Sequence, residues 1–281
     1  MTEPSAARVA VYLDFDNIVI SRYDQVNGRS SFQRDKAKGL ESARLDRARV
    51  DVGAILDFAS SFGTVVLTRA YADWSADVNA EYRQQLVGRA VDLVQLFPAA
   101  AYGKNGADIR LAVDAVEDMF RLPDLTHVVV VAGDSDYIPL AQRCKRLGRY
   151  VVGIGVAGSS SRALAAACDD FVVYDALPGV PVFAPAKAEG AQQTRRKSAE
   201  PAAPDPQPAA TALLTRALQI GLEKDDAEWL HNSEVKAQMK RMDPSFSEKA
   251  LGFKSFSDFL RSRADVVELD ESSTTRLVKL R

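Results

Sequence analysis

Histidine and cysteine are nearly missing from this chain, with two of each in 281 residues. A zinc site of mixed Cys and His would have to draw Cys144, Cys168, His127 and His231 from four distant places, unlike the close ligand spacings such sites use. Chemistry built on a histidine pair is nearly excluded for the same reason. The two cysteines lie in apolar surroundings, make no disulfide framework, and read as packed thiols of a reduced, cytoplasmic protein. No run approaches the roughly 18 apolar residues of a membrane span. Met1–Ala7 lacks the apolar core of a secretory signal. A charge excess is missing too, since 36 Lys+Arg stand against 38 Asp+Glu. Whatever chemistry exists must run on carboxylates, which work hardest when they hold a metal.

Seven of the twelve prolines fall between Pro178 and Pro208, in a stretch rich in Ala, Gln and Glu. Such a composition cannot bury enough apolar surface to offset chain entropy and reads as a flexible linker over 178–208. Its basic knot, Arg195-Arg196-Lys197, reads as a solvated cluster. The linker divides an N-terminal domain, 1–177, from a C-terminal one, 209–281.

The N-terminal part alternates apolar, β-branched runs with amphipathic stretches. Strands are expected at Arg8–Leu13, Thr64–Tyr71, Val91–Phe97, His127–Ala132, Tyr150–Ile154 and Phe171–Tyr174. Helices are expected at Arg47–Ser61, Asp77–Arg89, Ala107–Arg121, Tyr137–Leu147 and Ser160–Ala167. This alternation argues an α/β fold, a parallel sheet flanked by helices on both sides. The segment Ser21–Leu45 interrupts it. Carrying Arg22, Arg29, Arg34, Lys36, Lys38 and Arg44, it reads as a long mobile loop, either simply solvated or a basic flap over a polyanion.

The acids fall at telling places on that scaffold. The first strand runs into Asp14-Phe-Asp16-Asn17, and the fourth into Gly133-Asp134-Ser-Asp136-Tyr137. Asp108 opens a helix that also carries Asp114, about 120° further round. One Asp after a strand is ordinarily a turn former or helix cap. Three such places would share the carboxyl edge of one sheet, where open α/β folds gather function. Close carboxylates raise one another's pKa unless a cation neutralises them, and Mg²⁺ or Mn²⁺ takes oxygen ligands. The expected site is an acidic metal pocket.

The stretches Val9-Ala-Val-Tyr-Leu-Asp-Phe-Asp-Asn17, Lys104-Asn-Gly-Ala-Asp108 with Leu111 and Asp114, and Val129-Val-Val-Ala-Gly-Asp-Ser-Asp-Tyr137 with Pro139-Leu140 together resemble the NYN family. These are PIN-like nucleases of the LabA/DUF88 type. Gly148, Val151-Val-Gly-Ile154, Ser161, Leu164 and Asp170-Phe171 continue the pattern, so that the resemblance covers Arg8 to Asp175. It implies a metal-dependent ribonuclease, an endoribonuclease by first expectation, with Asp14, Asp108 and Asp134 as metal-binding acids. Asp136 would be a further acid of the pocket and Asn17 a polar supporter. Asp16 and Asp114 are left open. Lys104, which fits the family's loop, and Arg69 are candidates to touch the RNA backbone.

Two other signals compete. Asp14-Phe-Asp16-Asn17 also resembles the nucleophile signature of haloacid-dehalogenase-like phosphatases, but that family expects Thr or Val where Asn17 stands. Gly153-Ile-Gly155-Val-Ala-Gly158 matches the dinucleotide fingerprint GxGxxG, yet the sheet ends there, so a strand-to-helix turn is the better reading. A non-catalytic RNA-binding adaptor with a vestigial pocket is the rival from outside enzymology.

The C-terminal part reads as a helix at about Ala209–Leu222, Trp229-Leu230, a helix at Ser233–Met242, Asp243-Pro-Ser-Phe246, Gly252-Phe253 and a short helix from Ser255, which makes a capping box with Asp258. Val266–Leu269 and Arg276–Leu280 read as a β-hairpin wing. The order resembles an OST-HTH (LOTUS) domain, a winged-helix module associated with RNA, single-stranded RNA being expected here, and with protein partners. Trp229, Phe246, Phe253, Phe256 and Phe259 read as core. From Ala209 to Arg281 there are 12 Lys+Arg and 12 Asp+Glu, so only a clustered face could make the domain basic. Lys236, Lys240, Arg241, Lys254, Arg261 and Arg263 are the candidates for such a face.

Overall fold

A computed structural model describes residues 7–97, 106–156, 158–181, 206–225, 228–270 and 276–281. Two compact units emerge, Met1–Gly190 and Ala191–Arg281. Most of the expected linker, together with Lys104, lies outside the described residues.

The first unit is built on six parallel strands: β1 (Arg8–Asp14), β2 (Thr64–Ala72), β3 (Asp92–Gln95), β4 (His127–Val131), β5 (Tyr150–Gly155) and β6 (Asp170–Val173), in the order β3-β2-β1-β4-β5-β6. Val9, Val11, Leu13, Val129, Val131, Val152 and Ile154 join the core on one face. Ala10, Tyr12, Val128, Val130 and Val151 join the core on the other. Burial on both faces is why these strands read as unbroken apolar runs. The chain leaves β1 in one direction across the sheet and returns through β4 in the other. Their carboxyl ends therefore form a topological switch point, the crevice where open α/β sheets place ligands.

The helices match the expected periodicity with shorter ends. α4 (Val52–Ser60) starts at the N-cap Asp51, whose carboxylate accepts the Ala54 N–H at 3.1 Å, rather than at Arg47. The stretch expected as one helix over Asp77–Arg89 is two, α5 (Asp77–Ala80) and α6 (Arg83–Val87). α7 (Ala107–Arg121), α8 (Ile138–Arg146) and α9 (Arg162–Ala167) follow the expected pattern. Gly153 and Gly155 of the GxGxxG match serve close packing: a Cβ at Gly153 would sit 2.5 Å from the Phe171 ring, and one at Gly155 would sit 2.1 Å from the Ser160 hydroxyl. That role leaves nothing of a phosphate loop.

One expectation is overturned. The segment Ser21–Leu45 is not a mobile loop but lies in helices: α1 (Phe15–Asn27), α2 (Ser31–Lys36) and α3 (Ser42–Arg47). Its sparse apolar residues form a small core of their own, Tyr23, Val26, Phe32 and Ala48. Arg22 is fully buried, ion-pairs with Asp175 and lies against the Tyr174 ring. Arg44 pairs with Asp35 at 2.7 Å. Much of the charge counted as a basic flap is thus spent inside the fold, and Lys36 is the cation of that set that reaches the acidic cleft described below.

The second unit has α10 (Pro206–Asp225), β7 (Leu230–His231), α11 (Asn232–Met242), α12 (Phe256–Arg261), β8 (Val267–Asp270) and β9 (Leu277–Leu280). The strands pair antiparallel in the order β7-β9-β8, which is the expected wing with one short strand added. Leu214, Leu218, Met239, Phe246, Phe256, Phe259 and Val278 form its core with Phe253 packed against it, whereas Trp229 is half-buried outside that core with Lys279 over its ring. Ser255 caps α12 by accepting the Asp258 N–H at 3.2 Å. Two of the six candidates for a basic face are ion-paired and a third is hydrogen-bonded within the domain. Lys236 pairs with Glu248, Arg261 pairs with Asp258, and Arg263 bonds Gln207 and Thr211.

Candidate functional site

At the carboxyl edge of the larger sheet lies a cleft of about 780 Å³ lined by six aspartates, Asp14, Asp16, Asp73, Asp108, Asp134 and Asp136, with Lys36 as the one cationic lining residue among those described. Asn17, Asn79, Gln33 and Tyr137 add polar groups, and Val19, Phe32 and Val78 add an apolar wall. Four of these acids stand where a strand ends or a helix begins. Asp14 closes β1 and caps α1, accepting the Asn17 N–H at 3.2 Å. Asp134 follows β4 and caps the tight turn Ser135–Tyr137, accepting the Asp136 N–H at 3.2 Å. Asp108 sits in the first turn of α7, and Asp73 follows β2. The capping role that any single Asp suggests is therefore real, yet it also holds these carboxylates against one opening.

Asp14 is the most enclosed of them. Burial pushes its carboxyl up to about 6, against the lowering effect of hydrogen bonds from Tyr137 and Asn17. The Tyr137 hydroxyl donates to it at 2.7 Å, and that phenol is itself raised by burial and by the Asp14 charge. Asp16 accepts from Asn79 Nδ2 at 2.6 Å and from the Asp73 N–H at 3.3 Å, tying α1 to the turn after β2. Its carboxyl is raised, chiefly by burial. Asp73 is lowered, first by the Ser75 hydroxyl that donates to it. Asn17 Oδ1 accepts the Gly133 N–H at 3.1 Å and so braces the ends of β1 and β4 against each other.

The structure thus brings Asp14, Asn17, Asp108, Asp134 and Asp136 together at one cleft and adds Asp16 to them. Their spacing is open, because among the described residues no three His, Cys, Asp or Glu side chains come close enough to hold one metal ion. Arg69 has another task. Its guanidinium ion-pairs with Asp118, which also accepts from the Tyr12 hydroxyl at 3.0 Å, so the expected backbone contact is replaced by an internal one. Asp114 does not join Asp108 and is not solvent-facing either. It is buried and accepts from the Tyr71 hydroxyl at 3.1 Å and from Arg110 Nε at 2.9 Å. Cys144 and Cys168 are buried free thiols pushed up to about 12 by burial, as packed core residues should be.

Sequence reasoning missed Asp73, Asn79 and Tyr137. Asp73 carries the same signal as Asp14, an acid directly after an apolar strand, hidden because β2 runs one residue further than expected. Lys36 was named only as one charge of a possible basic flap over a polyanion. No signal in the sequence marks Asn79.

Residues 8–175 match the model of the NYN domain. The chain belongs to the NYN-domain family. NYN domains are generally nucleases, and the six-stranded parallel sheet flanked by helices is the PIN-like fold of that family. Residues 205–279 match the OST-HTH/LOTUS domain, a type associated with RNA binding. An uncharacterized protein of Methanocaldococcus jannaschii is 29% identical over 115 residues, 41% of this NYN chain. The matched stretch spans 44% of that relative's length. A crystal structure of a protein of unknown function from Vibrio parahaemolyticus aligns with 63% of this chain and 98% of its own, at 22% identity and a TM-score of 0.45. No described helix is long and apolar enough to cross a membrane.

Proposed function

We propose that this NYN protein is a metal-dependent ribonuclease, an endoribonuclease, that hydrolyses RNA phosphodiester bonds in the acidic cleft. The observation that carries this reading is the charge balance of the cleft, six aspartates against one lysine among its described lining residues, at the switch point of the sheet. A cleft so composed repels a phosphodiester unless cations enter with it.

The donor set fits a hard divalent cation, because all six acidic groups are carboxylates and no thiol or imidazole lines the cleft. Asp14, Asp108 and Asp134 are the residues to hold Mg²⁺ or Mn²⁺, with Asp136 beside them. The open spacing of these acids suits a cation that keeps several of its own waters. Bound there, such a cation supplies positive charge to the phosphate and lowers the pKa of the attacking water. The chain's own residues do the rest. Tyr137 and the Asn17 N–H orient Asp14 and favour its charged form. Asn17 and Asn79 fix the strand ends from which the acids project. Among the described lining residues, Lys36 offers the cationic side chain that can meet the substrate backbone. Half-buried Ile20 and Val78 offer a small apolar patch against which a splayed-out base of single-stranded RNA can rest. The OST-HTH domain is assigned to RNA or partner engagement outside the cleft.

The adaptor reading draws on the same spacing, since no three acids yet surround one point. One assay separates the two. Fluorescent single-stranded RNA is incubated with the full chain and Mg²⁺ or Mn²⁺. Cleavage that EDTA stops supports the nuclease, and binding without cleavage supports the adaptor.

A further inference from the structure

Helix α7 turns Leu111, Ala115 and Met119 into the core beneath it. Its opposite face is apolar as well: Ile109, Val113 and Phe120 are 68%, 57% and 66% exposed, with half-buried Val116 between them. Steps of four, three and four residues keep these side chains in a stripe about 60° wide at 100° per residue, the seam pattern of paired helices. Single exposed apolar residues need no explanation, but an ordered row of them marks an interaction surface.

The two flanks of the stripe differ. One carries Arg110, Glu117 and Arg121, and the other carries Ala112 and Met119, both packed against the molecule's own core. Arg110 is paired with Asp114 at 2.9 Å and Arg121 with Glu117 at 2.6 Å. Suppose two copies oppose their stripes antiparallel about a two-fold axis. Ile109 of each then meets the second copy's Phe120, and Val113 meets its Val116. The charged flanks face each other, which sets Arg110 opposite the second copy's Glu117. The existing pairs are thereby joined into a row of alternating sign, Asp114, Arg110, Glu117, Arg121. A parallel pairing would instead set the charged flank against Ala112 and Met119. Charge order therefore selects the antiparallel form.

We infer that the protein forms a two-fold symmetric dimer through the outer face of α7, with Ile109, Val113, Val116 and Phe120 at the seam and reciprocal Arg110–Glu117 ion pairs at its rim. The occupant of the stripe is a second copy of this chain, because the apolar row and the charges at its flank are complementary to themselves when two copies meet antiparallel. One helix pair is smaller than the roughly 800 Å² per partner of a standard interface, so the dimer forms in the micromolar range. The inference is independent of the nuclease reading.

Sedimentation equilibrium of the full chain from about 1 to about 100 μM tests it. Wild type is expected to pass from monomer to dimer across that range, and Phe120→Glu to remain monomeric. Arg110→Glu and Glu117→Arg should each weaken the dimer about tenfold, because each places like charges opposite one another twice. Mixing those two variants should restore association to near wild type, since the mixed dimer has opposite charges at both rim contacts. Circular dichroism confirms folding first. Should Arg110→Glu misfold, Phe120→Glu still decides, as its side chain is largely outside the core. A wild type monomeric at 100 μM, a dimer indifferent to Phe120→Glu, or a mixture that fails to associate overturns the inference.

Discussion

Two groups of aspartates adjoin the same strands and live under opposite regimes. Asp114 and Asp118 lie on α7 beneath the sheet, and each is met by one arginine and one tyrosine, Arg110 with Tyr71 and Arg69 with Tyr12. The six cleft aspartates share Lys36. In the first group every buried charge has a partner, so its members hold the fold. In the second, six carboxylates outnumber the one cation among the described lining residues, and Asp14 is held at about 6 by burial. Uncompensated charge is a standing cost to stability that a cation would relieve, which is why it points to function.

The comparison can be broken from either side. The largest effect belongs to the cleft: Asp134→Asn keeps the side chain's size, removes one charge, and should lower RNA cleavage about 100-fold or more while RNA binding survives or strengthens. A gel assay at matched protein concentration reads both. Next comes the compensated group. Asp118→Asn leaves Arg69 without its counter-charge and should cost about 3 kcal/mol in chemical denaturation. An Asp118→Asn variant as stable as wild type would show that the pairing is decorative.

The opposite sign is expected for Asp14→Asn. Holding a carboxyl of pKa about 6 ionised at pH 7 costs about 3 kcal/mol against an ordinary carboxylate near 4. Removing the charge should therefore stabilise the metal-free protein by about 1–3 kcal/mol while lowering cleavage, by less than Asp134→Asn does. The folded pKa lies above the unfolded one, so the penalty is full above about pH 6 and gone below about pH 4. The difference in stability between wild type and Asp14→Asn, measured in chelator, should shrink to near zero as pH falls through that window. A difference independent of pH would remove the burial account of Asp14. The smallest effect is that of Tyr137→Phe. Losing the hydroxyl that donates to Asp14 should raise its pKa further and reduce cleavage about tenfold, with a compensating upward shift of the pH at which activity appears.

How much of this was legible in the sequence follows from the same contrast. The sheet was readable because strands covered on both faces are unbroken β-branched runs, as in Val128-Val129-Val130-Val131. Asp14, Asp108 and Asp134 were readable because they stand at strand ends and a helix start. Pairings across 49 or more residues were not, and so Arg69 was assigned to substrate when its partner is Asp118. The Ser21–Leu45 segment was misread because its polar residues outnumber the few, such as Tyr23 and Phe32, that build its small core. Composition shows how much charge a segment has, but only the fold shows which of it is already answered.

Calorimetric titration of Mn²⁺ into wild type and Asp134→Asn at pH 7 bears most directly on the claim that the cleft's surplus charge awaits a cation. The account predicts binding to wild type and at least a tenfold loss in the variant, with Tm rising on Mn²⁺ addition only where binding is seen. Equal affinity in both proteins, or no binding to wild type at millimolar Mn²⁺, would contradict it.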